Sequence, residues 1–174
     1  DKLMEGWREG LAEMVVGERR RLWIPEKLAL ARSQRRKGSK GMRIVDIELL
    51  RLKQAPPAPT DVRRPPKDAK KTVSGIAWRS LTEGEGAHPL PTAQVTVRYA
   101  GWTTDGRCFD HTDADETMTF PLGGVIAGWT EGVQLMAKGG KARFWIPEKL
   151  AYDGQQGKPR GTLVFDIELI AIMP

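Results

Sequence analysis

The side chains that most often carry covalent or metal chemistry are scarce in this chain of 174 residues. It has two histidines, His88 and His111, and a single cysteine, Cys108. Nucleophilic catalysis needs a Ser, Thr or Cys beside a base that a third group orients. Both histidines stand in polar segments without the spacing of a triad or a metal motif. The sequence therefore indicates neither a covalent catalyst nor a metal site, and we expect no cofactor.

An acidic stretch, DHTDADE at 110–116, is the strongest candidate for a cation site. It lacks the spaced ligands and the central glycine of a calcium loop, so we interpret it as a solvated acidic loop. The single cysteine excludes an internal disulfide framework and a cysteine metal cluster. We interpret Cys108 as a thiol without a chemical role.

Strand signals dominate the second half of the chain. In QVTVRYAGW (94–102), Val95, Val97 and Tyr99 alternate with polar residues, which is the period of a half-buried strand. The Asp-Gly pair that follows, in TTDGR, is typical of a tight reversal. Three further segments are predicted to be strands: MTFPL (118–122), ARFWI (142–146) and TLVFDIELIAI (162–172).

One short helix is predicted at GWTEGVQLM (128–136). Trp129, Val133 and Met136 stand at i, i+4 and i+7, which places them on one helix face. Gly139-Gly140 would end the helix, because glycine accepts the left-handed conformation. Helix and strands together predict an α+β fold, with about five antiparallel strands bent around the helix.

The chain contains an internal repeat, which decides its domain count. GWREGLAEMVVGERRRLWIPEKLAL (6–30) aligns without gaps on GWTEGVQLMAKGGKARFWIPEKLAY (128–152). Further on, GMRIVDIELL (41–50) matches GTLVFDIELI (161–170). We therefore predict the C-terminal half of a degenerate domain at 1–53 and a complete domain at 73–174. Residues 54–72, with five prolines, several charges and no aromatic residue, are predicted to be an extended linker.

The net charge of +6 is unevenly distributed, with 19 Lys/Arg against 10 Asp/Glu in residues 1–72 and 9 against 12 in residues 73–174. The basic segment ARSQRRKGSK (31–40) could contact phosphates. Without interleaved aromatics a solvated surface is favoured over nucleic-acid binding.

No apolar run approaches 18 residues, so we expect a soluble protein without a membrane span. The first residue is Asp1 and not a methionine, and we expect the true N-terminus to lie upstream. Any targeting signal would then be missing from the sequence. The compartment stays open, with the cytoplasm favoured.

Four motif groups in residues 73–174 occur in a fixed order: SGIAWRSLTEGEG, VTVRYAGWTTDGRCFD, VIAGWTEGVQLM, and WIPEKLAYDG followed by GTLVFDIELI. In type and spacing they resemble the FKBP-type peptidyl-prolyl cis/trans isomerases. The resemblance implies a five-stranded antiparallel sheet wrapped around the short helix, with a shallow apolar pocket between them. It also implies isomerisation of Xaa-Pro bonds in proteins and a role in folding.

The resemblance implies the site residues position by position. The Ile126 backbone N–H and the Tyr152 hydroxyl would bind peptide carbonyls, and Asp110 would contribute a local field and a hydrogen bond at the rim. Trp129 would be the pocket floor. The implied catalytic residues are Tyr99, Asp110, Ile126 and Tyr152; the implied substrate-binding residues are Phe109, Met118, Val125, Trp129 and Phe165. We assign Phe120 to the core.

Two departures from the family pattern keep a second function open. The segment between Tyr152 and Gly161 is DGQQGKPR, shorter and more polar than many family flaps, and Met118 stands where an aromatic residue is usual. Macrolide inhibitors should therefore bind less tightly than to family members with a full flap. The alternative is a non-catalytic module that binds proline-containing peptides or acts as a chaperone.

The first copy should be catalytically poor. Leu3 and Met4 replace the valine and isoleucine at the helix entrance, Leu30 replaces the tyrosine, and Val45 replaces the phenylalanine of the last strand. Leucine keeps core volume but cannot donate a hydrogen bond. About fifty residues with part of a sheet bury little apolar area and leave an open edge. We therefore expect an upstream segment or a second chain to complete the sheet of residues 1–53.

Overall fold

The computed structural model describes residues 5–29, 41–52 and 54–173. The chain divides into two compact units, Asp1–Lys53 and Gln54–Pro174. Within the described residues, every helix is too short or too polar to cross a membrane.

The first unit combines helices with a two-stranded antiparallel sheet. Met14 and Ile24 are its buried apolar side chains among residues 5–29 and 41–52. Gly6 lets the first helix approach the sheet, because a Cβ there would lie 2.4 Å from Ile24 Cγ2. Leu3, Met4, Leu30 and the basic segment 31–40 lie outside the described residues. The elements are α1 (Glu5–Ala12), β1 (Arg19–Ile24), α2 (Glu26–Ala29) and β2 (Arg43–Glu48).

In the described part of the second unit, residues 54–173, seven strands form one antiparallel sheet. The strands are β3 (Lys70–Lys71), β4 (Ala77–Thr82), β5 (Gln94–Thr103), β6 (Cys108–His111), β7 (Met118–Pro121), β8 (Lys141–Ile146) and β9 (Leu163–Met173). Their order is β3-β4-β8-β9-β5-β6, and β7 also pairs with β5. Asp105-Gly106 makes the reversal from β5 to β6, with Gly106 at φ 93°.

The predicted α+β class is confirmed, and the strand count has a simple explanation. β6 and β7 pair with successive parts of the same edge of β5, residues 100–102 and 94–97. They act as one edge strand that the acidic loop interrupts. Counting them together, and leaving out the two-residue β3, gives the five strands that the sequence predicts.

The predicted helix is present as α3 (Ala127–Gln134), but it ends before the glycine pair. The N–H groups of Leu135 and Met136 bond to carbonyls three residues back, at 3.0 and 3.1 Å. This tightening closes the last turn. Gly139 takes a positive φ of 81° in the following turn, not at the helix end.

The proline-rich segment 54–72 packs on the sheet, unlike the extended linker that its composition predicts. Val62 is buried in a cluster with Trp102 and Trp145. The indole N–H groups of Trp102 and Trp145 donate to the Pro56 and Asp61 carbonyls, each at 3.2 Å. Asp61 also pairs with Arg143. Residues 54–72 therefore cover the face of the sheet opposite α3, and they belong to the second unit.

Close packing of α3 on β8 yields a stability prediction. A Cβ on Gly128 would lie 2.3 Å from Cγ2 of the fully buried Ile146. Gly128→Ala should therefore lower the free energy of unfolding by about 1–3 kcal/mol in urea denaturation, because overpacking strains a closed core. Gly123→Ala is the matched control, since the nearest atom there lies 3.5 Å away. Equal stability of the two variants would contradict this packing.

Candidate active site

The candidate site is built around Trp129 in the first turn of α3. The rings of Tyr99 and Phe165 meet this indole edge-on, with centroids 5.0 and 5.3 Å away. Phe120 lies at 5.6 Å in a tilted arrangement. Because Tyr99 and Phe165 come from the neighbouring strands β5 and β9, the sheet itself positions both rings against the helix.

These rings border an open hollow of about 540 Å³. Eight of the nine residues expected at the site line it: Tyr99, Asp110, Met118, Val125, Ile126, Trp129, Tyr152 and Phe165. Phe120, Gly124, Ala151, Gln155 and Lys158 complete the lining among the described residues. Aromatic floor, aliphatic entrance and polar rim together suit an apolar ring that carries amide groups.

Phe109 is the expected wall residue that the structure places elsewhere. It is not among the described residues that line the hollow. Its ring packs edge-on against Phe165, with a centroid distance of 5.6 Å. Gly101 leaves room for this contact, because a Cβ there would lie 2.8 Å from Phe109 Cζ. Phe109 thus supports a pocket residue instead of lining the pocket.

A tyrosine and a carboxylate form the polar wall. The Tyr99 hydroxyl donates a 2.7 Å hydrogen bond to Asp110 Oδ2. The pKa of Tyr99 is raised well above its usual range, mainly by burial and secondly by the bond to Asp110. Burial and the Asp110 charge also raise the pKa of Tyr152. Both phenols are therefore neutral hydrogen-bond donors at physiological pH.

The loop before α3 fixes the entrance residues Val125 and Ile126. The buried Leu122 holds this loop, with its N–H bonded to the Ala93 carbonyl at 2.9 Å. Thr130 Oγ1 donates to the Leu122 carbonyl at 2.8 Å. Ile126 precedes the first helical residue, and its carbonyl accepts the helical N–H of Thr130 at 3.1 Å. The helix therefore uses the Ile126 carbonyl and leaves its N–H for another acceptor.

The rim opposite the aromatic floor is a tight polar turn after Tyr152. The Gln155 N–H bonds to the Tyr152 carbonyl at 2.9 Å. Asp153 takes a left-handed φ of 44°, which Asp tolerates better than most residues. Lys158 Nζ lies 5.1 Å from the centre of the Tyr152 ring, within cation–π range. Gln155 and Lys158 are exposed, so this side of the hollow stays open.

The comparison that decides the family is a family model described as FKBP-type peptidyl-prolyl cis-trans isomerase. It matches residues 1–48 and 86–170. The chain belongs to the FKBP-type peptidyl-prolyl cis-trans isomerase family.

Individual relatives match over about three fifths of the chain. The probable isomerase FkpA of Neisseria meningitidis is 46% identical over 108 residues, which are 59% of this chain and 40% of that protein. Outer membrane protein MIP of Legionella longbeachae is 40% identical over 57% of this chain and 45% of that protein. The crystal structure of FkpA from Escherichia coli gives a TM-score of 0.59 at 40% identity, covering 63% of this chain and 53% of that one. This chain thus spans less than half of each of the first two relatives.

The hollow is also lined by residues that were not expected there from the sequence, among them Phe120, Gln155 and Lys158. Phe120 packs against the core cluster as expected, and it also lines the hollow and contacts Trp129. A signal for it exists, because Phe120 stands two residues after Met118 on β7, and alternate strand residues share a face. Gln155 and Lys158 had no such signal, because the conformation of a polar turn places them.

The raised pKa of Tyr99 predicts alkaline sensitivity of the FKBP-type unit. The unfolded chain ionises this phenol near pH 10, whereas the folded chain keeps it neutral. Its contribution to stability is therefore complete below about pH 10 and is lost as the pH rises towards the folded pKa. We expect the free energy of unfolding to fall less between about pH 9 and pH 11 in Tyr99→Phe than in the parent. Equal losses in urea denaturation would contradict the Tyr99–Asp110 geometry.

Proposed function

We propose that this chain catalyses cis/trans isomerisation of Xaa-Pro bonds in proteins and thereby assists folding. The observation that carries the proposal is the hollow over Trp129, with Tyr99 and Phe165 edge-on around its indole. Rotation about an amide C–N bond meets a barrier of about 18–20 kcal/mol, because resonance gives the bond double-bond character. For a bond that precedes proline, the cis and trans isomers differ in free energy by only about 0.5–1 kcal/mol. The catalyst must therefore stabilise a twisted amide and break no bond.

An apolar site favours the twisted amide relative to the planar forms. Twisting removes resonance and shrinks the amide dipole, so planar forms lose more by leaving water than the twisted form does. The prolyl ring would lie on Trp129, between Tyr99 and Phe165. With the ring held there, the preceding part of the peptide can turn about the C–N bond.

Two hydrogen bonds would hold the flanking carbonyls during this rotation. The Ile126 N–H lies at the helix entrance, where the helix leaves it unused. Tyr152 lines the same hollow, and its hydroxyl stays protonated because burial and the Asp110 charge raise its pKa. Asp110 orients the Tyr99 hydroxyl and contributes a local negative field. Neither a nucleophile nor a general base is required.

A protease-coupled assay on a Xaa-Pro peptide tests this function. The full chain should accelerate isomerisation, and the pair of changes Tyr152→Phe and Asp110→Ala should reduce kcat/KM by about 10-fold or more through lost hydrogen bonds. Asp115→Ala is the charge-matched control, because Asp115 is an exposed residue of the acidic loop outside the hollow. No acceleration by the parent chain would overturn the proposal and favour the proline-peptide-binding or chaperone module.

The open rim bears on inhibitors as well as substrates. Residues 153–158 are exposed, so they would cover little of a bound ligand. We propose that proline-containing polypeptides are the substrates and that macrolides bind weakly, since fewer contacts surround a large ring. Inhibition in the same assay measures this affinity.

For the first unit we propose a degenerate half-domain whose sheet another polypeptide segment completes. In the second unit β8 pairs with β4 as well as β9, and β9 also pairs with β5. Among residues 5–29 and 41–52, β1 and β2 pair only with each other, which leaves two strand edges uncovered. Hydrogen exchange combined with light scattering tests the proposal. A monomer with amides protected along both outer edges would contradict it.

We further propose a location in the cell envelope, in place of the cytoplasm that the sequence favours. The supporting observation is that one relative is named an outer membrane protein. Cell fractionation with a C-terminally tagged protein tests this location, and recovery with cytosolic markers would contradict it.

A further inference from the structure

The two units contain strand pairs with the same register, with Arg, Asp and Trp at equivalent positions and an aliphatic residue opposite the Trp. Arg21 pairs with Asp46 in the first unit as Arg143 pairs with Asp166 in the second. Both arginines bind their carboxylate through two parallel bonds, at 2.6 and 2.8 Å in the first unit and 2.5 and 2.7 Å in the second. The register then places Trp23 opposite Ile44, as it places Trp145 opposite Val164.

In the second unit, the chain itself shows what covers this face. Trp145 and Val164 are 2% and 0% exposed, because the segment around Asp61 and Val62 lies over them. The segment is held by three groups: the Trp145 N–H donates to the Asp61 carbonyl, Arg143 pairs with the Asp61 carboxylate, and Val62 packs into the apolar cluster. The segment forms a turn here, because the Val62 N–H bonds to the Pro59 carbonyl at 3.1 Å. A turn with an acidic residue before an aliphatic one thus fits this surface.

In the first unit, the corresponding surface is exposed. We define the Trp23 face as Arg21, Trp23, Ile44 and Asp46. Trp23 and Ile44 are 59% and 62% exposed. The indole, the aliphatic neighbour and the arginine–carboxylate pair that hold the segment in the second unit are all present here. The surface therefore offers the same apolar contact and the same cation for an acidic side chain.

We propose that the Trp23 face is a docking surface for a separate polypeptide segment with the chemistry of residues 55–66, APPAPTDVRRPP, which forms a turn at 60–63. Its aspartate would pair with Arg21, its aspartate carbonyl would accept the Trp23 indole N–H, and its valine would cover Trp23 and Ile44. The prolines restrict the backbone of such a segment before it binds, which reduces the entropy lost on docking. The proposal is independent of isomerase activity, because it involves no residue of the hollow.

An NMR titration of the full chain with the synthetic peptide APPAPTDVRRPP tests the proposal. The indole N–H resonance of Trp23, assigned with Trp23→Phe, should shift and saturate with a dissociation constant of about 1 mM or tighter. The resonance of Trp145 should stay unchanged, because its site is already covered. A peptide with Asn in place of the Asp should bind at least about 10-fold more weakly, because a charge-assisted bond is lost.

Variants on one strand distinguish docking from general attraction to a basic surface. Arg21→Ala should weaken binding at least about 10-fold. Arg19→Ala is the charge-matched control and should change it less than about threefold, because the corresponding Lys141 pairs with Glu168 and not with Asp61 in register. The proposal is overturned by an unmoved Trp23 resonance, by equal affinity for the Asn peptide, or by a Trp23 shift that depends on protein concentration alone. The last result would identify a second copy of the chain as the occupant.

Discussion

Trp129→Ala is expected to reduce kcat/KM on a Xaa-Pro peptide by about 10- to 100-fold, the equivalent of the roughly 1.5–3 kcal/mol gained by burying one apolar ring. The indole is 5% exposed and contacts three other rings, so its removal deletes the floor of the hollow. The same change should lower the free energy of unfolding by about 3–5 kcal/mol, because it leaves a cavity in the core. The coupled assay and urea denaturation measure the two effects.

Trp78→Ala separates the loss of the pocket from the loss of stability. Trp78 stacks on Phe144 at 6.2 Å and lies on β4, away from the hollow. This variant should also be destabilised, yet it should keep kcat/KM within about twofold of the parent under conditions where it is folded. If the two tryptophan variants lose activity equally, the hollow over Trp129 is not the site of catalysis.

The second large effect concerns the ion pairs that join segment 54–72 to the sheet. The Arg143 side chain is 13% exposed and lies between the carboxylates of Asp61 and Asp166. Arg143→Ala should lower the free energy of unfolding by about 3–5 kcal/mol, because it leaves two part-buried carboxylates without their cation. Hydrogen exchange of the β8 and β9 amides measures the loss as a drop in protection of at least about 100-fold.

The first unit supplies the matched control for this prediction. Arg21 makes the same two-bond contact with Asp46, but its side chain is 56% exposed. Arg21→Ala should therefore change the protection of the β1 and β2 amides by less than about fivefold, since solvent screens an exposed pair. Similar losses in the two units would show that burial does not decide the strength of these pairs.

Much of the second unit could be predicted from local patterns. The alternation in QVTVRYAGW gives β5, with Val95 and Val97 fully buried. The long apolar run near the C-terminus gives β9, which lies between β8 and β5 and is therefore apolar over most of its length. The family resemblance predicted which nine residues form the site, and eight of them line one hollow.

The parts that sequence analysis missed depend on tertiary contacts. Five prolines and several charges indicate a spacer, and nothing local shows that Val62 fills a gap beside Trp145. Phe109 differs from the expectation because its ring packs edge-on against Phe165, a contact between two strands that no local pattern contains. Helix α3 ends at Gln134, two residues before the predicted end, because its last turn is tightened by bonds to carbonyls three residues back. The glycine pair lies in the next turn.

The hollow over Trp129 should catalyse rotation about an Xaa-Pro bond in addition to binding the peptide. Exchange NMR on a short Phe-Pro peptide with a small amount of the full chain tests this without a protease. The uncatalysed bond exchanges in tens to hundreds of seconds, so a mixing time of about 0.5 s shows no cis–trans cross-peaks for the peptide alone. We predict strong cross-peaks with the parent chain and their loss with Trp129→Ala. Peptide binding at the hollow without any cis–trans cross-peaks would contradict the account.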